Sequence, residues 1–303
     1  MRGQQWLGTL AKVVTRPLRR TAASILNPYI TLLVGEIGAV DKGTQILLSM
    51  KYRELLATHC RLPTLEDVGF RAYSQNDEDG ILLFIFSLLG TVNRTVVEVC
   101  AGDGVECNSA NLIFNHGWRA LLFDGNETNV RIARRFYARH RDSVYFPPII
   151  VNAWIEPDNV DSLLMGNGFS GEVDLLCLDL DGVDFWIWKA IQRLTPRVVL
   201  AEYNWLWGPD ASVTVPYRSG FRRFDVHEDY YGASLAALVK LGREKGYRLV
   251  GRSRYFNAIF IRNGVGDDIL PEVSAADCLA NPILAPEREK RLPQVMHYEW
   301  TNV

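Results

Sequence analysis

The 303-residue sequence predicts an α/β fold: a seven-stranded sheet, parallel except for one antiparallel edge strand, with helices on both faces and a helical N-terminal extension. Three observations predict it. From about residue 95 onward, short apolar runs alternate with segments of helical period, the pattern of strand–helix–strand crossovers. The runs are almost continuously apolar, as strands buried on both faces are. The last two are joined only by residues 252–255, too short for a crossover and suited to an antiparallel hairpin.

The elements follow in order. Trp6, Leu7, Leu10, Val13, Val14 and Leu18 recur at helical spacing with basic residues between them. Residues 1–35 carry Arg2, Lys12, Arg16, Arg19 and Arg20 and no acid, so residues 1–26 could lie on an anionic membrane surface or pack on the main domain or on a partner. Pro17 and Pro28 interrupt that pattern. A second helix, around Lys42 to Thr58, is expected to pack through Ile46, Leu47, Met50, Leu55 and Leu56. Ser74 with Asp77 and Glu78 offers helix-capping chemistry before the apolar run Ile81–Leu89. Strands are expected at 95–100, 119–124, 144–151, 173–180 and 197–203, with Pro147 and Pro148 consigning the third to an edge. Helices run through Leu112 and Phe114, on to about His140, and from Phe185 to Leu194. After a polar, aromatic insert (204–231), a helix from Ala233 to Lys245 leads to the closing pair, 247–251 and 256–261. The chain thus divides into a basic helical extension (1–68), a ligand-binding domain (69–265) and a C-terminal tail (266–303).

A formal net charge of −2 argues against a nucleic-acid binder that works through a basic surface. The five scattered cysteines form neither a disulfide framework nor a zinc site, and a reducing cytoplasm is the simplest compartment. No run approaches the roughly 18 apolar residues of a spanning helix.

The strongest chemical signal is Val96 to Asn108, an apolar strand with Glu98 near its end followed by Ala-Gly-Asp-Gly (101–104). Ligands of open α/β sheets bind at strand carboxyl ends, and glycines there let the backbone approach them. Two glycines do not make the dinucleotide spacing, which disfavours a nucleotide-dependent oxidoreductase. The next strand ends in Asp124, about 20 residues on, where a carboxylate can hold both ribose hydroxyls. Helix capping is the competing role for it. Asp179, Asp181 and Asp184 close the fourth strand, with Asp179 and Asp181 on one side by period-two alternation. Oxygen ligands from adjacent strand ends (Asp179, Glu202 and Asn204) would suit Mg²⁺, and the same acids could instead cap the following helix. In the insert, Trp205, Trp207, Tyr217, Arg218, Arg222, Arg223, Tyr230 and Tyr231 are candidate walls for a polar, hydroxylated acceptor. His227 is the candidate general base there, and His116 a poorer one.

Taken together, Tyr73 to about Ile261 resembles the FkbM-type and related bacterial methyltransferases of class I. The likeness rests on Ser74-Gln75 with Glu78-Asp79-Gly80, Val97 to Gly104 with Asn108, Gly117-Trp118, and Leu178 to Gly182. It implies a Rossmann-like class I sheet that binds S-adenosyl-L-methionine within residues 69–265. Glu98, Gly102, Asp103, Gly104 and Asn108 would lie around the methionine part, Asp124 on the ribose, and Asn152 and Ala153 at the adenine; Trp154 could equally be core. It also implies O-methylation of a glycan or small metabolite, with Asp179 and Asp181 as catalytic carboxylates. The metal set is similar to that of metal-dependent O-methyltransferases. The family pattern D-x-E-G is Asp179-Leu-Asp-Gly182 here, which shortens the reach of the second acid. The Asn/Asp-Pro-Pro-aromatic motif of base N-methylation is absent, and Cys177 lies within a strand rather than as a nucleophile. A non-catalytic scaffold that binds the cofactor is the non-enzyme alternative.

Overall fold

Residues 40–281 and 284–303 are described by a computed structural model of the chain. The basic segment 1–26 lies outside the described residues. Helix α1 (Lys42–Ala57) starts at Asp41, whose carboxylate accepts from the Gly43 and Thr44 N–H groups. Its packing face differs from the expected one. Gln45 and Tyr52 are buried with Leu48 and Leu56 beside them, while Ile46, Leu47 and Met50 are exposed. The cause is polar. The Gln45 and Asn111 amides bond each other in both directions, at 3.0 and 2.9 Å, and the Tyr52 ring meets Phe84 edge-on at 4.9 Å. A fully satisfied buried amide thus turns the helix away from its most apolar side.

A one-turn helix, α2 (Leu65–Val68), precedes α3 (Glu78–Leu89), which is buried on nearly every side. The capping chemistry expected of Ser74 is real, but its partner is Asp79. The Asp79 carboxylate accepts from the N–H groups of Ala72, Tyr73 and Ser74, and the Ser74 hydroxyl accepts from the Asp79 N–H.

Then β1 (Thr95–Val99), α4 (Ala110–His116), β2 (Arg119–Asp124), α5 (Glu127–Tyr137) and β3 (Ile149–Asn152) follow, and α6 (Val160–Gly166), β4 (Gly171–Leu178), α7 (Asp184–Ala190) and β5 (Leu194–Glu202) continue the alternation. Strand β3 is half the length expected, because the chain turns through 144–148, with Tyr145 and Phe146 exposed ahead of Pro147 and Pro148. Helix α7 ends early and β5 begins early: Pro196 pairs with Val173 near the strand start, where a missing N–H costs least. After the insert, with its short strand β6 (Val213–Thr214), come α8 (Leu235–Glu244), β7 (Tyr247–Arg252) and β8 (Asn257–Arg262). The C-terminal segment adds α9 (Ala275–Leu279), α10 (Leu284–Arg291) and β9 (Thr301–Asn302).

The main sheet runs β3-β2-β1-β4-β5-β8-β7, a Rossmann-like order. The antiparallel strand is β8, inserted between β5 and the outermost strand β7. Alternate residues of each strand serve two cores. Val97, Val99, Leu176, Leu178, Val199 and Ala201 face the layer of α6, α7, α8 and the insert. Val96, Ala120, Leu122, Leu175, Val198 and Leu200 face α1, α3 and α4. Strand β9 pairs with β6, and Val295 joins the first core. The chain order reverses between β1 and β4, so the loops after these strands part and leave a crevice at their carboxyl ends.

Candidate functional site

At the end of β1, Glu98 is buried with both oxygens occupied. Oε1 accepts from the Asn108 N–H at 2.9 Å, and Oε2 from the Ser109 N–H at 2.8 Å and the Ser109 hydroxyl. Burial raises its pKa while these donors lower it. Glu98 therefore ties the glycine loop to the start of α4 and reaches the crevice as a wall. Gly102 (φ +58°) faces that crevice, where an added Cβ would meet no atom within 4 Å. Gly104 (φ +71°) serves packing instead. A Cβ there would press on Ala133 and Tyr137, and the Tyr137 hydroxyl donates to the Gly104 carbonyl. Asp103 Oδ1 accepts from the Val105 N–H, so that side chain braces the turn.

Two cavities flank Asp124. The larger, about 550 Å³, is polar and lined by Glu98, Gly102, Asn108, Asp179, Glu202 and Asn257 among others. The second is a slot of about 40 Å³ between Ala153, Trp154 and Ile155 on one side and Tyr217 and Phe221 of the insert on the other. Phe221 lies so close to Gly182 that an added Cβ would fall 2.4 Å from its ring. Cys100 and Asp124 line both cavities. Asp124 does cap locally, since its Oδ1 accepts from the Asn126 N–H (2.7 Å) and the Asn129 amide (3.2 Å). Burial raises its pKa. Asn152 bonds the Asp124 carbonyl and lines neither cavity, so only Ala153 of that pair meets the slot.

The carboxylates gather at the ends of β4 and β5. Asp179, Asp181 and Glu202 each place an oxygen within 4.8 Å of the others. Burial, then Asp184 and Asp181, push Asp179 up to about 8. Burial and the neighbouring acids also raise Glu202. Asp184 plays a different part: its oxygens accept from the Leu180 and Gly182 N–H groups and hold the turn that sets Asp181 at φ +53°. Arg223 of the insert reaches this cluster. Its guanidinium pairs with Asp181, lies 3.8 Å from Glu202 Oε1, and covers the Tyr231 ring at 3.9 Å.

Two expected residues are not brought in. Asn204 is wholly enclosed, with Oδ1 accepting from the Leu206 N–H and Nδ2 donating to the Asp229 and Tyr231 carbonyls. Its amide shapes the insert, and its oxygen is enclosed there and does not line the polar cavity. His227 accepts at Nδ1 from the Asp229 N–H, tilts toward Tyr298, and lines neither cavity. Conversely, sequence reasoning missed Asn257, gave Glu78 only a capping and motif role, and named Arg223 only as part of a wall. Asn257 sits opposite Glu202 across the β5–β8 pairing and donates to Glu78. Its antiparallel register carries no local sequence signal.

No protein-family model matches the chain, and no curated protein matches it. Among solved structures it is similar to an S-adenosylmethionine-dependent methyltransferase from Clostridium acetobutylicum ATCC 824 at 10% identity, covering 60% of this chain and 89% of that one (TM-score 0.37). It is also similar to magnesium protoporphyrin IX methyltransferase from Synechocystis PCC 6803, at 11% identity with coverages of 75% and 99% (TM-score 0.36). A third, the N-terminal domain of EvdMO1 with SAH bound, is 14% identical with coverages of 74% and 96% (TM-score 0.39).

Proposed function

We propose that the protein transfers a methyl group from S-adenosyl-L-methionine to a hydroxyl of a glycan or small polar acceptor. The observation that carries this reading is the position of Asp124, a strand-end carboxylate lining a polar cavity and an apolar slot at once. An elongated cofactor with a ribose in its middle needs such a carboxylate between a polar half and an aromatic half. On this reading Glu98, Gly102 and Asn108 border the methionine part, Asp124 holds the ribose hydroxyls, and Ala153, Trp154 and Ile155 border the adenine. When bound, the sulfonium supplies an electrophilic methyl group for direct displacement. The chain's own task is then alignment and proton removal. Proton removal falls to the cluster at 179–202, through a carboxylate or a divalent cation held there, since His227 faces elsewhere.

The test is calorimetric titration of S-adenosyl-L-methionine and of NAD(H) into the full chain, beside Asp124→Asn and Asp124→Ala. Micromolar binding of the former alone, weakened at least about tenfold by either replacement, is expected; a lost bond to a charged group is worth about 1.5–3 kcal/mol. Binding of NAD(H) would move the reading to an oxidoreductase. Binding of neither by folded protein would sink it.

A further inference from the structure

We propose that Asp179, Asp181 and Glu202 form a binding site for a hard divalent cation, which displaces the Arg223 guanidinium from them. Three observations converge on the same few ångströms. The first is geometric. One oxygen from each residue lies within 4.8 Å of the others, close to the span between opposite ligands of an ion with bonds of about 2.1–2.4 Å. Asp179 follows β4 and Glu202 ends β5, neighbouring parallel strands, and the left-handed turn at Asp181 returns the third carboxylate toward them.

The second is an unmet demand. Glu202 is 6% exposed, and its enclosed Oε2 has no donor. Asn257, its register partner on β8, is also 6% exposed, and its enclosed Oδ1 has no donor either. Both residues line the polar cavity. Two buried acceptors side by side call for a cation or a proton, and Arg223 donates to neither.

The third is charge. Arg223 spends its guanidinium on Asp181, the Glu228 carbonyl and the Tyr231 ring, and comes only to 3.8 Å from Glu202. One cation thus stands against three carboxylates. All the donors are oxygens, and no histidine among the described residues lines the cavity. This set suits Mg²⁺, Mn²⁺ or Ca²⁺ better than zinc. It differs from the set expected from sequence, since Asn204 is consumed by backbone and Asp181 takes its place. A cation there would orient an acceptor oxygen and ease loss of its proton. The inference deepens the transfer reading but is tested without it.

The experiment titrates Mn²⁺ into metal-stripped full-length protein, follows the free-ion paramagnetic resonance signal, and displaces bound Mn²⁺ with Mg²⁺ or Ca²⁺. One Mn²⁺ per chain is expected. Glu202→Gln and Asp181→Asn should each weaken binding at least tenfold, and Arg223→Gln should tighten it severalfold. Asp181 is exposed, so its variant reports even where Glu202→Gln fails to fold. No stoichiometric binding by the wild type up to millimolar Mn²⁺, or wild-type affinity in both acid variants, overturns the proposal. Methyl-donor binding without Mn²⁺ binding would remove the cation alone, and the converse would remove the transfer alone.

Discussion

His116 closes α4 with its Nε2 2.8 Å from Gln45 Oε1, at the edge of the amide pair that joins α1 to α4. Because that oxygen can only accept, the imidazole must be neutral or cationic with a proton on Nε2. Burial, with Lys42 and Arg94 nearby, lowers its pKa from 6.5 to about 4. Between those values the unfolded chain binds a proton that the native chain does not. The contribution to stability is therefore full above about pH 6.5, declines below it, and is gone once the pH falls past about 4. It amounts to about 2 kcal/mol after allowing for solvent at a partly exposed ring. His116→Gln should flatten the dependence of unfolding midpoint on pH across that window; an unchanged slope would assign the acid limb elsewhere. At this scale spacing along the chain says which strand-end residues line the crevice (Glu98, Gly102, Asp124 and Asp179) and not what they hold. It failed for Asn204 and His227, because local loop geometry, rather than spacing along the chain, decides which way their side chains point.

Elements are joined by a buried ion pair at the opposite end of the sheet. Asp174 of β4 accepts from the N–H groups of Val92, Asn93 and Arg94 and pairs with Arg197 of β5 at 2.9 Å. Arg197 also donates to the Leu89 and Gly90 carbonyls, which fastens the end of α3 to two strand starts. Arg197→Met would leave the buried Asp174 carboxylate with its backbone donors alone and should cost about 3–5 kcal/mol in denaturant unfolding, and the double replacement should cost less than the sum of the two single ones. A double replacement whose cost equals the sum of the two single ones would show that the pair itself contributes nothing. The strand–helix alternation was legible because each crossover repeats one pattern of burial. The ends were not. Pro196 sits inside a strand, and Tyr145 and Phe146 look like strand residues yet stand in solvent, because pairing partners, not composition, set where a strand stops.

Over the whole molecule, the C-terminal segment packs on the insert, and the insert reaches the crevice. Trp186 donates to the Val215 carbonyl, Arg218 pairs with Glu299, and the Tyr230 hydroxyl donates to the Glu299 carbonyl. The expected tail boundary at 266 gave no hint of this, since β9 pairs with a strand some 90 residues earlier in the chain, as Ser212 and Val303 also do. One stretch of the insert bears on both cavities. Tyr217 and Phe221 narrow the slot, and Arg223, two residues on, holds Asp181. On the proposed reading, an adenine ring entering the slot of about 40 Å³ would displace Phe221, and since Arg223 lies two residues on, the guanidinium is expected to loosen from the acids. Two ligands that compete with the same segment then favour each other, and thermodynamics makes the help mutual: the factor by which the adenosine ligand tightens cation binding equals the factor by which the cation tightens the adenosine ligand. Measured as a four-cornered cycle with S-adenosylhomocysteine and Mn²⁺, that factor should fall within about 5 to 150 in the wild type. It should shrink toward one in Arg223→Gln, in which the segment has already let go.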